Sequence, residues 1–316
     1  MAELLPVPRW WVAAVAGALL LALLPLYASG YVISLFIVLF ANIALATAWS
    51  FFCGATGYIS LATAAFFGAG VYAIAILHVH VPIVLALAAA TLAGFLMALV
   101  VGLSTLRLRG VYFIIFTFGL TELTQQVVVW WEINQNKTMS RYIFADVSST
   151  LIFETLLAVA MLTVFGSWCV SRTRLGYALR SIGQDETVAR HTGIDTTRVK
   201  ILVFAISASV MALVGAVLSL RYPYVDPTIA FNNVWSFQVL IAALLGGPAR
   251  PWGPAVGAVP LILLSDYLAG TFPHHFGIAL GLCFVVIVYF LPGGIAPWLE
   301  RCYRAWRARD AKAEAH

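Results

Sequence analysis

Charge is what this sequence has least of. Asp, Glu, Lys and Arg make up 10% of its 316 residues, against about 25% in a soluble domain. Only Lys137, Lys200 and Lys312 are lysines. An ordinary water-facing domain is thereby excluded. No Gly-x-x-x-x-Gly-Lys-Ser/Thr run occurs, so the chain lacks a phosphate-cradling loop of that type, and nucleotide hydrolysis would have to come from another polypeptide. Cys53, Cys169, Cys283 and Cys302 are scattered without a Cys-x-x-Cys pair, which speaks against a metal or redox framework. No nucleophile–base pair or metal-ligand cluster falls at membrane depth, so no chemistry, cofactor or metal is expected of the chain itself. The net charge of +5 does not call for nucleic acid, because basic residues of membrane proteins gather in cytoplasmic loops.

What the sequence has in abundance is apolar length. Hydrophobic residues make up 62%, with a mean hydropathy of +0.96, and runs of about 20 apolar residues, each able to cross a bilayer as a helix, recur. The pattern predicts an all-α polytopic transmembrane bundle, one domain over residues 1–316. Ten spans are expected, near 10–28, 31–53, 57–77, 82–104, 111–131, 150–170, 200–220, 236–248, 254–270 and 276–291. The eighth is short and ends at Leu245-Gly-Gly-Pro248, the punctuation of a helix that stops at the membrane edge.

Charge supports this count. With both termini cytoplasmic, fifteen of the eighteen basic residues lie inside, among them Arg9, Arg107, Arg109 and Arg250, and only Lys137, Arg141 and Arg221 lie outside. That asymmetry is the positive-inside rule. The tail, 299–316, alternates charge and alanine and reads as a frayed cytoplasmic helix or a disordered end.

One polar segment, 171–198, lies on the cytoplasmic side between the sixth and seventh spans. Leu175, Ala178, Leu179 and Ile182 share one helical face. Gly183 is expected to break that helix, and Asp185 and Glu186 to begin a second short one, since carboxylates suit a helix N-terminus. Gly193 suits a left-handed C-terminal cap, and Asp195 is placed to cap the next span. Two capped helices on this side fit either a docking surface for a partner or a basic amphipathic element lying on anionic lipid.

The run Ser171-Arg-Thr-Arg-Leu-Gly-Tyr-Ala-Leu-Arg-Ser-Ile-Gly-Gln-Asp-Glu-Thr-Val-Ala-Arg-His-Thr-Gly-Ile-Asp195 resembles the coupling segment of the branched-chain amino-acid ABC permease family. The resemblance continues through Arg198-Val-Lys-Ile-Leu-Val-Phe-Ala-Ile-Ser-Ala208, Leu245-Gly-Gly-Pro-Ala-Arg-Pro-Trp-Gly-Pro-Ala-Val-Gly-Ala258 and Pro292-Gly-Gly-Ile295. Upstream it takes in Ser60-Leu-Ala-Thr-Ala-Ala-Phe-Phe-Gly-Ala-Gly-Val-Tyr72 and Arg107-Leu-Arg-Gly-Val-Tyr-Phe113. It implies a type II ABC-importer-like permease of the M type in the bacterial inner membrane. Its implied partners are cytoplasmic ABC ATPase subunits that bind ATP and Mg, a second homologous permease and a periplasmic solute-binding protein. It further implies that Arg174, Leu175, Gly176, Leu179, Arg180, Asp185, Glu186, Ala189 and Gly193 form the ATPase-coupling interface. The chain departs from the family at Ala62-Thr63, where Gly-His is usual, and in the glycine-free exterior stretch Trp130 to Tyr142. The expected solute is a branched-chain amino acid or a similar small polar solute such as urea or an amide.

Polar residues within the spans are the candidates for the translocation path. A carboxylate is costly at the bilayer centre and should face a cavity or a partner. Glu122 lies near the middle of the fifth span, and Thr117, Thr121 and Gln125 share a face at its side. The stripe either lines the path or holds helices together by hydrogen bonds. Asn42, Ser60 and Thr63 are further path candidates. Two rival readings are an ion-coupled secondary transporter, with Glu122 carrying a proton, and a metal-ion ABC permease using the exterior His78, His80, His274 and His275.

Overall fold

The computed structural model describes residues 17–18, 20–106, 108, 110–138, 140–143 and 147–272, with scattered positions from 277 to 295. Most of the tenth span, the tail, Arg107, Arg109, His274 and His275 lie outside the described residues, as does the first span up to residue 16. After a 3-10 turn at Leu24–Leu26, eleven α-helices are found among the described residues: α1 (Gly30–Thr56), α2 (Thr63–Leu77), α3 (Ile83–Thr105), α4 (Val111–Asn136), α5 (Ser149–Ser171), α6 (Arg174–Gln184), α7 (Glu186–His191), α8 (Thr196–Ser219), α9 (Pro227–Ala230), α10 (Asn233–Gly246) and α11 (Gly253–Thr271). Seven candidate membrane spans are found among the described residues: α1, α3, α4, α5, α8, α11, and α9 together with α10; α2 is a shorter apolar helix. The protein is an all-α polytopic membrane protein. Its one described strand pairing is antiparallel, β1 (Arg141–Tyr142) with β2 (Tyr224–Val225).

The bundle is built around α8, which packs against α1, α2 and α3. Lipid tails are as apolar as leucine, so helices in a bilayer associate through close packing at small residues. α3 shows this rule in its sequence. Its buried positions Ala86, Ala90, Gly94, Ala98 and Gly102 repeat every four residues and make one smooth stripe, while Leu85, Leu92, Leu96 and Leu103 point outward. The α2–α8 contact is tighter still. A Cβ on Gly70 would lie 1.9 Å from the Ala212 carbonyl oxygen, so this crossing admits glycine alone.

α2 is shorter than the expected third span. Its 15 residues cover about 22 Å at 1.5 Å per residue, less than the ~30 Å hydrocarbon layer. Residues 57–62, which the expected span includes, are irregular backbone. Gly57 ends α1 in the left-handed conformation, φ 74°, and the chain turns back into the bundle.

Candidate functional site

The polar segment 171–198 folds as two short helices, α6 and α7. Asp185 caps α7, its Oδ1 accepting from the amides of Thr187 (2.7 Å) and Val188 (3.2 Å). Gly193 follows at φ 86°, and Asp195 caps α8 by accepting from Arg198 N at 3.1 Å. Gly183 does not break the first helix, contrary to expectation: α6 runs on to Gln184. A Cβ at Gly183 would lie 2.3 Å from the Ala55 carbonyl oxygen, so glycine serves close approach to the end of α1.

The expected coupling residues divide between two faces. Gly176, Leu179, Glu186 and Ala189 are buried against the bundle and Leu175 is half-buried, whereas Arg174, Arg180, Asp185 and Gly193 are exposed. Tyr177 and Val188 add apolar surface on the outer face. Glu186 is therefore not a surface contact. It is 9% exposed and faces Lys200 of α8, 2% exposed, at 2.9 Å. Tyr58 donates to Glu186 Oε2 at 2.8 Å and accepts from Lys200 Nζ at 3.1 Å. Lys200 also donates to the Leu106 carbonyl at 3.3 Å. Arg190 and Thr196 donate to Glu186 Oε1 at 2.9 and 3.2 Å. A charge taken out of water demands such a full set of partners. The cluster joins α7, α8, the irregular segment and the end of α3 at one point.

The irregular segment is held by side chains. Trp49 Nε1 donates to the Ser60 carbonyl at 2.7 Å. Leu61 N donates to Thr117 Oγ1 at 3.0 Å, and the Leu61 carbonyl accepts from Thr121 (3.4 Å) and Ser236 (2.9 Å). Ala64 N donates to Ser236 Oγ at 2.9 Å. Non-helical backbone at membrane depth is tolerated only where protein satisfies it in this way. Thr117 and Thr121, both 0% exposed, thus secure Leu61 and are turned away from any open space.

Glu122 points elsewhere. It is the twelfth of the 26 residues of α4, exposed on the outer surface of this chain, and its Oε1 accepts from Asn233 Nδ2 at the start of α10 (2.6 Å). Together with Gln126 and Trp130 it lines a shallow, mostly apolar hollow; Gln125 is half-buried beside it. α4 is an edge helix, and Phe116, Leu123, Val127 and Ile133 are exposed along it.

Asn42, Ser60 and Thr63 do not join Glu122. Asn42 is fully buried in α1, donating to the Val38 carbonyl at 2.9 Å while its Oδ1 has no partner. Ser60 Oγ accepts from Ala62 N at 3.3 Å. Thr63 and Ser207 line a cavity of about 10 Å³, room for roughly one water, and neither hydroxyl has a protein partner.

Beside the strand pair, Glu132 and Arg141 pair at 2.5 Å, with the Arg141 guanidinium over the Trp131 ring. Asp226 caps α9 through Thr228 N at 2.7 Å and accepts from Ser140 at 3.3 Å. His78 Nδ1 lies 3.0 Å from the Ile74 carbonyl, a helix-end contact. Among the described residues no group of three His, Cys, Asp or Glu could hold a metal ion. The sequence reading missed Lys200, Tyr58 and Ser236. A lone lysine in an apolar helix was the one signal that could have drawn attention to the first.

The family described as "Branched-chain amino acid transport system / permease component" matches residues 31–291. The high-affinity branched-chain amino acid transport system permease protein LivM of Salmonella typhimurium is 26% identical over 303 residues, 83% of this chain and 68% of that protein. LivM of Escherichia coli is 26% identical over 286 residues, 77% of this chain and 65% of that protein. LivH of Escherichia coli is 28% identical over 169 residues, 52% of each. The chain thus spans about two thirds of the length of the LivM relatives. No solved structure matches it.

Proposed function

From a chain that belongs to the branched-chain amino acid transport permease family, we propose a transmembrane subunit of an ATP-binding-cassette importer. Its solute is an amino acid or a similar small polar solute, handed over by a periplasmic binding protein. The chain crosses the bacterial inner membrane ten times, as one permease domain with both ends in the cytoplasm. It performs no chemistry. ATPase subunits bind ATP and Mg and push on the outer face of α6 and α7, where Arg174, Tyr177, Arg180 and Val188 are exposed.

The observation that carries this reading is the double-faced coupling segment. One face is fixed to the bundle through Glu186 and Lys200; the other is free to receive a partner. A force applied to α7 reaches α8 and the 57–62 segment together, because Tyr58 bonds both members of the ion pair. That segment in turn is bonded to α4 through Thr117 and Thr121.

Glu122 supports a path that runs along the outward face of α4. A carboxylate at mid-helix costs several kcal/mol against lipid, so this face meets water or a second, homologous permease subunit. Alternating access then opens the seam between the two subunits to one side at a time. Family membership speaks against the ion-coupled carrier and the metal permease.

The test is reconstitution in liposomes with the ATPase, the second permease and the binding protein. Uptake should require ATP and all partners. Amino-acid uptake by this chain alone, driven by a proton gradient, would sink the proposal.

A further inference from the structure

A second polar place lies at the outer end of the bundle, away from the coupling segment. It is a cavity of about 760 Å³ between the first turns of α1, the first turns of α10, the last turns of α11 and the residue Arg221 that follows α8. Sites for small ligands run from roughly 300 to 1,000 Å³, so the size suits a single small solute.

Its wall carries one carboxylate and one guanidinium that do not neutralise each other. Asp266 of α11 accepts from the Tyr31 hydroxyl, and no cation among the described residues pairs with it. Arg221 donates to Ser34 Oγ at 2.9 Å, and no carboxylate among the described residues pairs with it. Ser265, 7% exposed, also lines the cavity, and its hydroxyl has no hydrogen-bond partner. A buried polar atom left without a partner is rare and calls for a ligand or water. The remaining wall is largely apolar, with Leu35, Val38, Trp235 and Ile262.

Opposite charges on one small cavity select the solute by its own charge pattern. A simple cation answers Asp266 and is repelled by Arg221; a simple anion does the reverse. An uncharged solute such as urea compensates neither. A zwitterion compensates both, through charge-assisted hydrogen bonds that are shorter and about twice as strong as neutral ones.

We propose that this cavity is a binding site for a free aliphatic amino acid, with the ammonium at Asp266, the carboxylate at Arg221 and the side chain against Val38, Trp235 and Ile262. The assignment deepens the importer reading and rests on it for the direction of traffic: the solute enters from outside and is held here before the central path. The two places adjoin. Asn232 lines the cavity and caps α10 at Val234 N (2.9 Å), while the next residue, Asn233, bonds Glu122.

The experiment is ligand-observed saturation-transfer NMR on the full chain in lipid nanodiscs, without ATPase or binding protein. The probes are L-leucine, leucinamide (no carboxylate), 4-methylpentanoate (no ammonium) and urea. Saturation should reach the leucine methyl groups, while both single-charge analogues bind at least about tenfold more weakly, the loss expected when a charge-assisted contact is removed. Arg221→Gln and Asp266→Asn should each weaken leucine binding to a similar degree. The analogue series on the unaltered chain needs no variant, so it stands even where a substitution impairs folding. Equal transfer to leucine, leucinamide and 4-methylpentanoate, or no transfer to leucine, overturns the site. Because no partner is present, failure here leaves ATP-driven uptake intact, and failure of ATP-driven uptake leaves this binding result intact.

Discussion

Lys200 reaches Glu186 at 2.9 Å across the gap between two helices, and the Tyr58 hydroxyl lies on both, with the Lys200 ammonium 4.5 Å from the centre of the Tyr58 ring. Three residues from three parts of the chain thus share one buried charge centre beside the coupling segment. Removing Glu186 strands Lys200 without water, whereas removing Lys200 leaves Glu186 paired with Arg190 at 2.9 Å. Glu186→Gln alone should destabilise the chain by about 3–5 kcal/mol, the cost of an uncompensated buried charge, and Lys200→Met by less, because Arg190 still pairs with Glu186. The Lys200→Met/Glu186→Gln double variant should recover part of that loss, since no charge is then left alone. Chemical unfolding of the three variants in detergent would show it; a double variant as unstable as the sum of the singles would mean the two residues are not coupled.

The outer face of the coupling segment makes a separate prediction. Tyr177 and Val188 are 62% and 58% exposed, and their side chains take no part in capping or in the ion pair. Tyr177→Glu with Val188→Glu should therefore leave unfolding unchanged, because surface substitutions away from caps and buried pairs usually shift stability by less than about 0.5 kcal/mol. Co-purification of the ATPase should fall sharply. Intact co-purification with both substitutions in place would take the docking role away from this face. Asp185 is unsuitable for the same purpose, because replacing it removes the cap of α7 and costs roughly 0.5–2 kcal/mol by itself.

These two expectations also show what was legible in the sequence. The 3.6-residue spacing of Leu175, Leu179 and Ile182 gave the inner face of α6, and Asp185, Gly193 and Asp195 gave the ends, because caps are local chemistry. The inward turn of Glu186 was not legible. It depends on Lys200, fourteen residues on, and on Tyr58, 128 residues back, and no local pattern encodes that meeting. Thr117 and Thr121 do share a helical face, as their spacing requires, yet what meets that face is the backbone of Leu61. The length of the third span misled for the same reason: an apolar run does not reveal that its first six residues are irregular backbone held by four side chains from three other helices.

That correction makes a third prediction. Thr117→Val with Thr121→Val keeps shape and volume but removes the acceptor for Leu61 N and one donor to its carbonyl. A buried amide without a partner costs about 1–3 kcal/mol, so the midpoint of unfolding should drop. Ser236 still serves the Leu61 carbonyl, so the loss belongs mainly to the Thr117 contact, and Thr121→Val alone should be mild. Should the pair instead change which solutes are taken up without touching stability, both threonines would line the path after all.

Glu122 gives the most direct test of where the solute passes. Its place halfway along α4, on an exposed face and hydrogen-bonded only to Asn233 among the described residues, makes it dispensable for packing within this chain. Glu122→Leu should leave the subunit stable or slightly more so, since a costly carboxylate is exchanged for an apolar group at membrane depth. Assembly with the ATPase should persist. ATP-dependent uptake by the assembled complex should nonetheless fall by an order of magnitude or more, because a hydrogen bond to a charged group is worth roughly 1.5–3 kcal/mol. Glu122→Gln retains the hydrogen-bonding shape toward Asn233 and should fall between the two. Uptake at the unaltered rate in the assembled Glu122→Leu complex would move the path off the outward face of α4 and leave that face to lipid or to simple subunit contact.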